Sequence, residues 1–280
     1  MNPVLSIIIP CYNSEATLES TLESVLHQDF QAWEAIIVND GSTDLTEAIA
    51  LKWVNRDNRF KYFSKQNEGL GKTRNFGILK AKGQYILPLD SDNLVMNDFA
   101  QDAIDVFEKN NKVGVVYGDA EYFGERNGLW KVDQYNFKKI LTGNYIDACA
   151  IYRKKNWVDV GGYDENMPYQ GHEDWEFWIA LGVLNVTFYH LNKITFKYFV
   201  SKYSMIRSFT DTMEQLNNDY IFKKYNKQYQ KSYREIYSLF EKNERRYFNN
   251  LKSEKFVINL FTNMFFGIKF FNLSDNNFIK

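Results

Sequence analysis

Two runs of β-branched apolar residues, each followed by a turn and a helix-like stretch, constrain the fold of this 280-residue chain most strongly. Residues 4–9 form the first run and residues 35–38 form the second. Continuous apolar runs of this kind are typical of strands that are covered on both faces, as in parallel or mixed sheets. Because the segment between them repeats leucine and valine at helical spacing, the pattern predicts right-handed crossovers and an α/β fold.

Polar residues follow each predicted strand. They occupy residues 10–13, 39–44 and 90–93, the last after a further apolar run that ends in Leu89. In open α/β sheets, ligands bind beyond the carboxyl ends of the strands. We therefore expect these three segments to surround one crevice.

Asp90 and Asp92 are two carboxylates spaced two residues apart, directly beyond a predicted strand. Carboxylates in this arrangement can chelate a divalent cation such as Mn²⁺ or Mg²⁺, with phosphate oxygens completing its coordination. Aspartates also begin turns and cap helices, and Asn97 and Asp98 precede the next predicted helix. On spacing alone, both interpretations stay open.

The segment of residues 66–75 is rich in glycine and opens a predicted helix. Its Gly-Lys-Thr triplet imitates the end of a phosphate-binding loop, but Gln66 stands where that motif requires glycine. A dinucleotide-binding fingerprint is also incomplete, because the third glycine is missing. Lys72 and Arg74 at the start of the helix can nevertheless face a pyrophosphate, although an ordinary solvated charge is an open alternative for Lys72.

The second half of the chain has weaker patterns. A helix is predicted to begin at Glu173, and it places Glu173 and Asp174 where the helix dipole favours negative charge, with capping as the competing interpretation. The other predicted elements are helices at residues 98–110, 137–141 and 157–163, strands at 113–117 and 145–152, and a final strand pair at 186–189 and 194–200.

Charge and cysteine content exclude several classes of protein. The 34 basic side chains balance the 35 acidic ones, which gives no argument for a nucleic-acid partner. Cys11 and Cys149 are too few for a disulfide framework and form no metal-type pair, so a reducing compartment is expected. Residues 1–10 lack the basic region of a signal peptide, and no run reaches the roughly 18 apolar residues of a membrane span. We therefore expect a cytoplasmic protein.

Residues 211–280 are predicted to form a helical, basic and aromatic extension after a catalytic domain of residues 1–210. Residues 220–280 contain 12 Lys/Arg against 5 Asp/Glu. Within them, residues 256–271 are apolar almost all round. Packing on the first domain, a homodimer contact, and an interfacial helix anchored by lysines at the inner face of the membrane all stay open for this segment. Those lysines are Lys252, Lys255 and Lys269.

Five segments occur in an order and spacing that resembles the family 2 glycosyltransferases. They are residues 6–13, 38–44, 67–75, 89–93 and 161–174. The resemblance covers about residues 4–210. It implies a GT-A fold, a Rossmann-like, mixed and mainly parallel sheet flanked by helices, with the nucleotide sugar held by about residues 1–117 and the acceptor by about 118–210. It also favours metal binding over a plain turn at Asp90 and Asp92.

The resemblance implies a nucleotide-sugar site built from several residue types. Tyr12 would stack on the base, and Asp40 would accept the N–H of uracil. Arg74 would reach the diphosphate. The other residues implied on this side are Pro10, Asn13, Lys72 and Ser91.

The resemblance implies that Asp92 binds Mn²⁺ or Mg²⁺, with Asp90 near the ribose or the metal. Asp174 is the expected general base that deprotonates the acceptor hydroxyl, and Glu173 is the alternative.

The chain departs from the family pattern in two places. Asn93 stands where a third acidic residue is common. Residues 202–208 contain no histidine, so Lys202 or Arg207 would have to supply the late group that contacts metal or phosphate. His172 has two open interpretations, contact with the acceptor or a plain packing role.

The reaction implied by the resemblance is an inverting transfer of a hexosyl or N-acetylhexosaminyl group. A UDP-sugar would be the donor, and a hydroxyl of a glycan or lipid-linked glycan the acceptor, in surface polysaccharide synthesis. Asp40 does not exclude a dTDP-sugar, because thymine presents the same N–H. A GDP-sugar enzyme and a non-catalytic sugar-nucleotide-binding subunit are the remaining alternatives.

Overall fold

A computed structural model describes residues 2–201, 209–268 and 271 of the chain. The chain divides into two compact units, Met1–Lys224 and Tyr225–Lys280.

The first unit is built on one mixed sheet. Its strands are β1 (Leu5–Cys11), β2 (Trp33–Asp40), β3 (Phe60–Lys65), β4 (Tyr85–Pro88), β5 (Leu94–Val95), β6 (Val113–Gly124), β7 (Gly128–Trp130), β8 (Ile151–Arg153) and β9 (Thr187–Val200). Within the described residues the strand order is β3-β2-β1-β4-β8-β6-β9-β5, and β7 pairs with β6. Longer parallel ladders join β1 to β2 and β4, β2 to β3, and β6 to β9, whereas the antiparallel pairs are short. The predicted mixed, mainly parallel sheet is confirmed.

Helices cover both faces of this sheet because its central strands are apolar on both sides. The helices of the first unit are α1 (Leu18–Leu26), α2 (Thr46–Arg56), α3 (Leu70–Lys80), α4 (Phe99–Lys109), α5 (Phe137–Ile140), α6 (Lys154–Val160), α7 (Glu173–Val183) and α8 (Asp211–Lys224). Ile7, Ile37 and Leu87 in the core are fully buried. Burial of each such side chain stabilises the fold by about 1.5–3 kcal/mol.

The predicted strand at residues 145–152 and the predicted strand pair at residues 186–200 differ from the structure. Residues 145–150 are irregular and only Ile151–Arg153 pairs, because Asp147 Oδ1 accepts a hydrogen bond from the Cys149 N–H at 2.8 Å and turns the chain. The predicted pair at residues 186–200 is the single strand β9. The sequence suggested a break between two strands at residues 190–193. At this point β9 contains Asn192, with φ of 51°, and its register with β6 is irregular, but the strand continues.

Helix α3 packs unusually close to strand β1. A Cβ atom at Gly77 would lie 2.6 Å from Ile8 Cγ2, so a larger residue would push the helix off the sheet. This approach places the buried Arg74 side chain, one turn earlier, next to the carboxyl end of β4. A packing requirement at Gly77 therefore positions a cation beside Asp90.

The first compact unit extends through α8, beyond the predicted domain end at residue 210. Tyr220 Oη donates to Asp164 Oδ2 at 2.9 Å, and Lys224 Nζ lies 2.5 Å from the same oxygen and 2.7 Å from Glu176 Oε1. These polar groups attach α8 to the segment before α7. The assignment of functions to the two parts of the chain stays a prediction.

The second unit contains α9 (Asn226–Leu251) and α10 (Glu254–Phe266). Ser253 Oγ accepts the Phe256 N–H at 3.4 Å at the start of α10, and Gly267 in the left-handed conformation ends the helix. None of the helices in the described residues combines the length and the hydropathy that a membrane span requires.

Candidate active site

A cavity of about 740 Å³ lies beyond the carboxyl ends of β1, β2 and β4. The structure brings the three polar segments after these strands to its wall, together with the N-terminus of α7. The lining residues are Pro10, Cys11, Tyr12, Asp40, Asn67, Leu70, Thr73, Arg74, Asp90, Ser91, Asp92, Asn93, Asp147, Tyr169, Gln170, Gly171, Glu173, Asp174, Tyr198, Phe209 and Met213.

The Asp90–Asp92 turn is held at both sides. The Asn93 N–H donates to the Asp90 carbonyl at 3.0 Å, and Ser91 Oγ lies 2.7 Å from Ser14 Oγ on the loop after β1. Asn93 is 1% exposed, and its Oδ1 accepts the Phe199 N–H of β9 at 3.0 Å. Asn93 therefore anchors the turn to the sheet, which gives a structural reason for an amide at this position.

Arg74 is a buried cation aimed at this turn. Its Nη2 donates to Asp90 Oδ1 at 2.6 Å, and its side chain is only 3% exposed. Burial opposes its charge, but Asp90 and the more distant carboxylates raise the pKa of Arg74 above its ordinary value. Its Nε finds no hydrogen-bond acceptor among the described residues. A buried donor of this kind fits an anionic ligand such as a phosphate oxygen.

Asp92 and Asp147 are partly enclosed carboxyl groups with raised pKa values. Burial, and then the charge of Asp90, raises the pKa of Asp92 to about 7. Burial, and then Asp90 and Asp174, raises the pKa of Asp147 to about 8. The ionised forms are unfavourable here because like charges crowd a poorly solvated cavity. A bound divalent cation would relieve this crowding.

The turn after β4 offers carboxylate oxygen atoms that could hold a metal ion. Asp90 and Asp92 provide hard oxygen ligands on one turn, which suits Mn²⁺ or Mg²⁺. The described residues contain no cluster of three or more histidine, cysteine or acidic side chains arranged around one metal position. Asp90 and Asp92 therefore fit a cation that binds the protein through part of its coordination shell and takes the remaining oxygen ligands from a bound ligand.

Helix α7 begins with the two carboxylates that the sequence singled out. Glu173 is 3% exposed, and its Oε2 accepts the Gly171 N–H at 2.8 Å. Asp174 is half-buried, with Oδ1 accepting the Trp175 N–H at 2.8 Å and Oδ2 accepting Asn144 Nδ2 at 2.9 Å. Burial raises the pKa of both groups, that of Asp174 to about 6. Both carboxylates line the cavity, and Asp174 is the more accessible of the two.

Helix α8 fixes the loop that precedes α7. Asn217 is fully buried, and its side chain bonds both the N–H and the carbonyl of Tyr169 at 2.9 Å. Asn217 Nδ2 also donates a hydrogen bond to His172 Nδ1 at 2.9 Å. Gln170 on this loop accepts the Leu70 N–H at 2.9 Å, at the start of α3.

Tyr12 and Asp40 lie at the edge of the cavity formed by β1 and β2. Tyr12 is 55% exposed and free to present its ring. Asp40 is 5% exposed and accepts Lys65 Nζ at 2.5 Å, the Glu68 N–H at 3.0 Å and the Gly69 N–H at 2.9 Å. The carboxylate is thus held rigidly, at the side of the cavity where the resemblance placed the base.

Two predicted donor-side residues do not reach the described cavity wall. Lys72 faces away and lies 3.9 Å from Glu68 at an exposed position, which supports the solvated alternative. Asn13, with φ of 48°, accepts the Thr43 N–H at 2.9 Å and ties the loop after β1 to the loop after β2. Lys202 and Arg207 lie outside the described residues.

Sequence reasoning missed Asp147 and Tyr198, which both line the cavity. A lone carboxylate in the otherwise apolar run of residues 145–152 was the available signal for Asp147. Tyr198 gave no such signal, because one tyrosine in an alternating strand is ordinary.

A second cavity of about 270 Å³ shares four wall residues with the first. Its walls combine aromatic rings with amide and carboxylate groups, and the Trp130 and Tyr198 rings meet edge to face at 5.6 Å. The lining residues are Trp130, Asn144, Tyr145, Ile146, Asp147, Gly171, His172, Tyr198, Phe209 and Glu214. His172 both lines this cavity and packs near the rings of Trp175 and Phe209.

Comparison with known proteins gives three results. Residues 6–161 match the profile of the family described as Glycosyl transferase family 2. A Rickettsia typhi protein described as an uncharacterized glycosyltransferase is 34% identical over 68% of this chain and 62% of its own length. The poly-β-1,6-N-acetyl-D-glucosamine synthase of Staphylococcus epidermidis is 31% identical over 58% of this chain and 42% of its own length.

Among solved structures, S. aureus TarS 1–349 in complex with UDP superposes with a TM-score of 0.59 and 28% identity. The match covers 72% of this chain and 61% of that one. In all three proteins, the region shared with this chain is less than two thirds of the relative's own length.

Proposed function

Because this chain belongs to glycosyl transferase family 2 and has the GT-A fold, we propose that it transfers a sugar from a UDP-sugar to a hydroxyl group. The acceptor is a glycan or lipid-linked glycan, and the reaction inverts the anomeric centre and serves surface polysaccharide synthesis. The observation that carries the proposal is one cavity whose wall combines Tyr12 and Asp40 at one edge, the buried cation of Arg74, and carboxylates from two separate elements. The UDP complex of TarS and the polymer made by the S. epidermidis synthase support this choice of donor.

The donor end of the site follows from the rigid Asp40 and the exposed ring of Tyr12. Asp40 already accepts two backbone N–H groups and Lys65 Nζ, and its Oδ2, which accepts the Gly69 N–H, can accept one further N–H from uracil without reorganising. Arg74 keeps a free Nε for the diphosphate while its Nη2 holds Asp90 in position.

Asp90 and Asp92 would hold a Mn²⁺ or Mg²⁺ ion. When bound, such an ion neutralises the charge that builds on the leaving diphosphate. The chain's own part is to place the two carboxylates on a turn that Ser14 and Asn93 hold still.

Asp174 acts as the general base. Its carboxylate stands at the N-terminus of α7 and is oriented by Asn144 and by its own helix. It takes the proton of the acceptor hydroxyl, and the hydroxyl oxygen then attacks the anomeric carbon as the bond to the diphosphate breaks. Attack from the side opposite the diphosphate inverts the configuration.

The second cavity holds the acceptor sugar. Aromatic walls suit the apolar face of a sugar ring, and the amide and carboxylate groups suit its hydroxyls. Asn144 lines this cavity and also bonds Asp174, which connects acceptor binding to the base.

A thermal-shift screen tests the donor assignment. We expect UDP with Mn²⁺ to raise the melting temperature by several degrees, because saturation at about 100 times Kd adds roughly 2.7 kcal/mol to the free energy of unfolding. UDP alone should shift it less, and GDP should shift it little. A larger shift with dTDP or GDP would change the donor, and no shift with any nucleotide would contradict the proposal.

Trp130→Ala tests the acceptor cavity. Because the ring forms one wall, its removal should raise the KM of the acceptor about tenfold, the size of one lost aromatic contact. The affinity for UDP, measured by calorimetry, should stay within about twofold, because Trp130 lies outside the larger cavity. Leu129→Ala, the exposed neighbour on the same strand, is the matched control. Equal KM values for both variants would place the acceptor elsewhere.

A further inference from the structure

Helix α9 presents an apolar stripe that is largely exposed, with Tyr247 at one end packing against Phe256 of α10. The helix is 26 residues long, and none of its residues is buried. At about 100° per residue, six apolar side chains fall within a sector of about 100°. They are Tyr233, Ile236, Tyr237, Phe240, Tyr247 and Leu251, each between 36% and 68% exposed.

The basic side chains of α9 lie on the other side of the helix. On the same angular count their sector spans about 120° and is centred almost opposite the stripe. They are Lys227, Lys231, Arg234, Lys242, Arg245 and Arg246. A long helix with an aromatic face and a Lys/Arg-rich polar face has the composition of helices that lie in a lipid interface.

Helix α10 exposes an apolar face of its own. Phe256 and Asn259 are buried, whereas Val257, Phe261 and Phe265 on the other side are 41–62% exposed. Two successive helices of the second unit therefore leave large apolar faces open to solvent, which is unfavourable for a protein that stays in water.

Charge decides which partner fits these faces. Residues 225–280 contain ten Lys/Arg and five Asp/Glu, and this excess of positive charge is complementary to anionic lipid headgroups, whereas a second copy of the chain carries the same excess. Glu244 also interrupts the stripe of α9, and a helix–helix seam between two copies would bury its carboxylate. At the depth of lipid headgroups this side chain stays hydrated, and the basic residues meet anionic phosphate.

We propose that the second unit binds an anionic lipid surface, with the stripe of α9 and the exposed face of α10 at the boundary of headgroups and acyl chains. The basic residues contact the headgroups, and transfer of the apolar side chains from water into the lipid stabilises the bound state. This proposal does not depend on the donor, the metal or the base proposed above.

Flotation of the full-length chain with lipid vesicles tests the proposal. Vesicles of phosphatidylcholine with 30% phosphatidylglycerol, a composition chosen for the assay, should bind the chain at least about tenfold more strongly than phosphatidylcholine alone, and raised salt should reduce the difference. Ile236→Glu combined with Phe240→Glu should abolish flotation. Lys231→Glu combined with Lys242→Glu should remove the preference for the anionic lipid.

Leu79→Glu and Val158→Glu, at exposed apolar positions of the first unit, are the matched controls and should float like the wild type. Circular dichroism verifies that each variant is folded. Failure of the wild type to float with anionic vesicles would overturn the proposal, as would unchanged flotation of the Ile236/Phe240 variant. If the wild type instead sediments at twice 33.1 kDa and that variant at 33.1 kDa, the stripe binds a second copy and the lipid surface is wrong.

Discussion

Asp174→Asn is expected to lower kcat by about 10²–10⁴-fold, the usual contribution of a general base. The amide keeps the size of the carboxylate and can retain the bond with Asn144 after reorientation, but it cannot accept a proton from the acceptor. UDP affinity, measured by calorimetry, should change little because Asp40 and Arg74, which bind the donor in our proposal, are untouched. Transfer is measured as UDP released per enzyme with a saturating acceptor.

The pH profile and Glu173→Gln separate this role from a structural one. Burial raises the pKa of Asp174 from 3.8 to about 6, so the base loses its ionised form as the pH falls through about 6. The rate of the wild type should fall in that range, and the Asn variant should lose this dependence. Glu173→Gln breaks a loop contact and should lower stability more than it changes the pH profile. Transfer that survives Asp174→Asn and fails in Glu173→Gln would make Glu173 the base.

Asp92→Ala is expected to lower transfer by the order of 10²–10³-fold and to remove the extra thermal shift that Mn²⁺ adds to UDP. Because Asp92 is partly enclosed beside Asp90 and its pKa is raised from 3.8 to about 7, its ionised form costs stability in the absence of a cation. The pKa is higher in the folded than in the unfolded chain, so this cost grows as the pH rises from 3.8 to about 7 and is fully present above pH 7. At pH 8 without metal, the variant should therefore melt at a higher temperature than the wild type.

Asp105→Ala serves as the control, since it removes an exposed carboxylate of α4 far from the turn. It should leave both the manganese response and transfer unchanged. A wild-type response to Mn²⁺ in the Asp92 variant would show that the ion binds elsewhere, and a variant less stable than the wild type without metal would contradict the electrostatic argument.

The first half of the fold was predictable because its strands are apolar on both faces and end in recognisable turns. Residues 5–9 of the first apolar run and residues 35–38 of the second fall within β1 and β2, and the glycine-rich segment opens α3. The second half was less predictable, since local bonds override the pattern there. Residues 145–150 of the apparent strand are irregular and include a local bond from the Cys149 N–H to Asp147 Oδ1, and no sequence period contains that information.

The candidate site was predictable where a residue type is unusual at its position. Asp90, Asp92 and Asp174 are carboxylates next to apolar segments, and all three reach the cavity. The two interpretations of Lys72 stayed open because sequence gives position along a helix but not the direction of the side chain; in the structure Lys72 lies 3.9 Å from Glu68. Asn217 could not be found at all, since its importance comes from bonds to Tyr169 and His172, more than forty residues earlier.

These late bonds also affect the order in which the site is completed during synthesis. The chain leaves the ribosome N-terminus first, so the strands that carry Asp40, Asp90 and Asp92 can pair while α8 is still unmade. The loop before Asp174 gains its bonds to Asn217 only after about forty more residues have been added, at roughly 5–20 residues per second. A nascent chain can therefore assemble the cavity edge that carries Asp40, Asp90 and Asp92 seconds before the loop that leads to Asp174 is fixed.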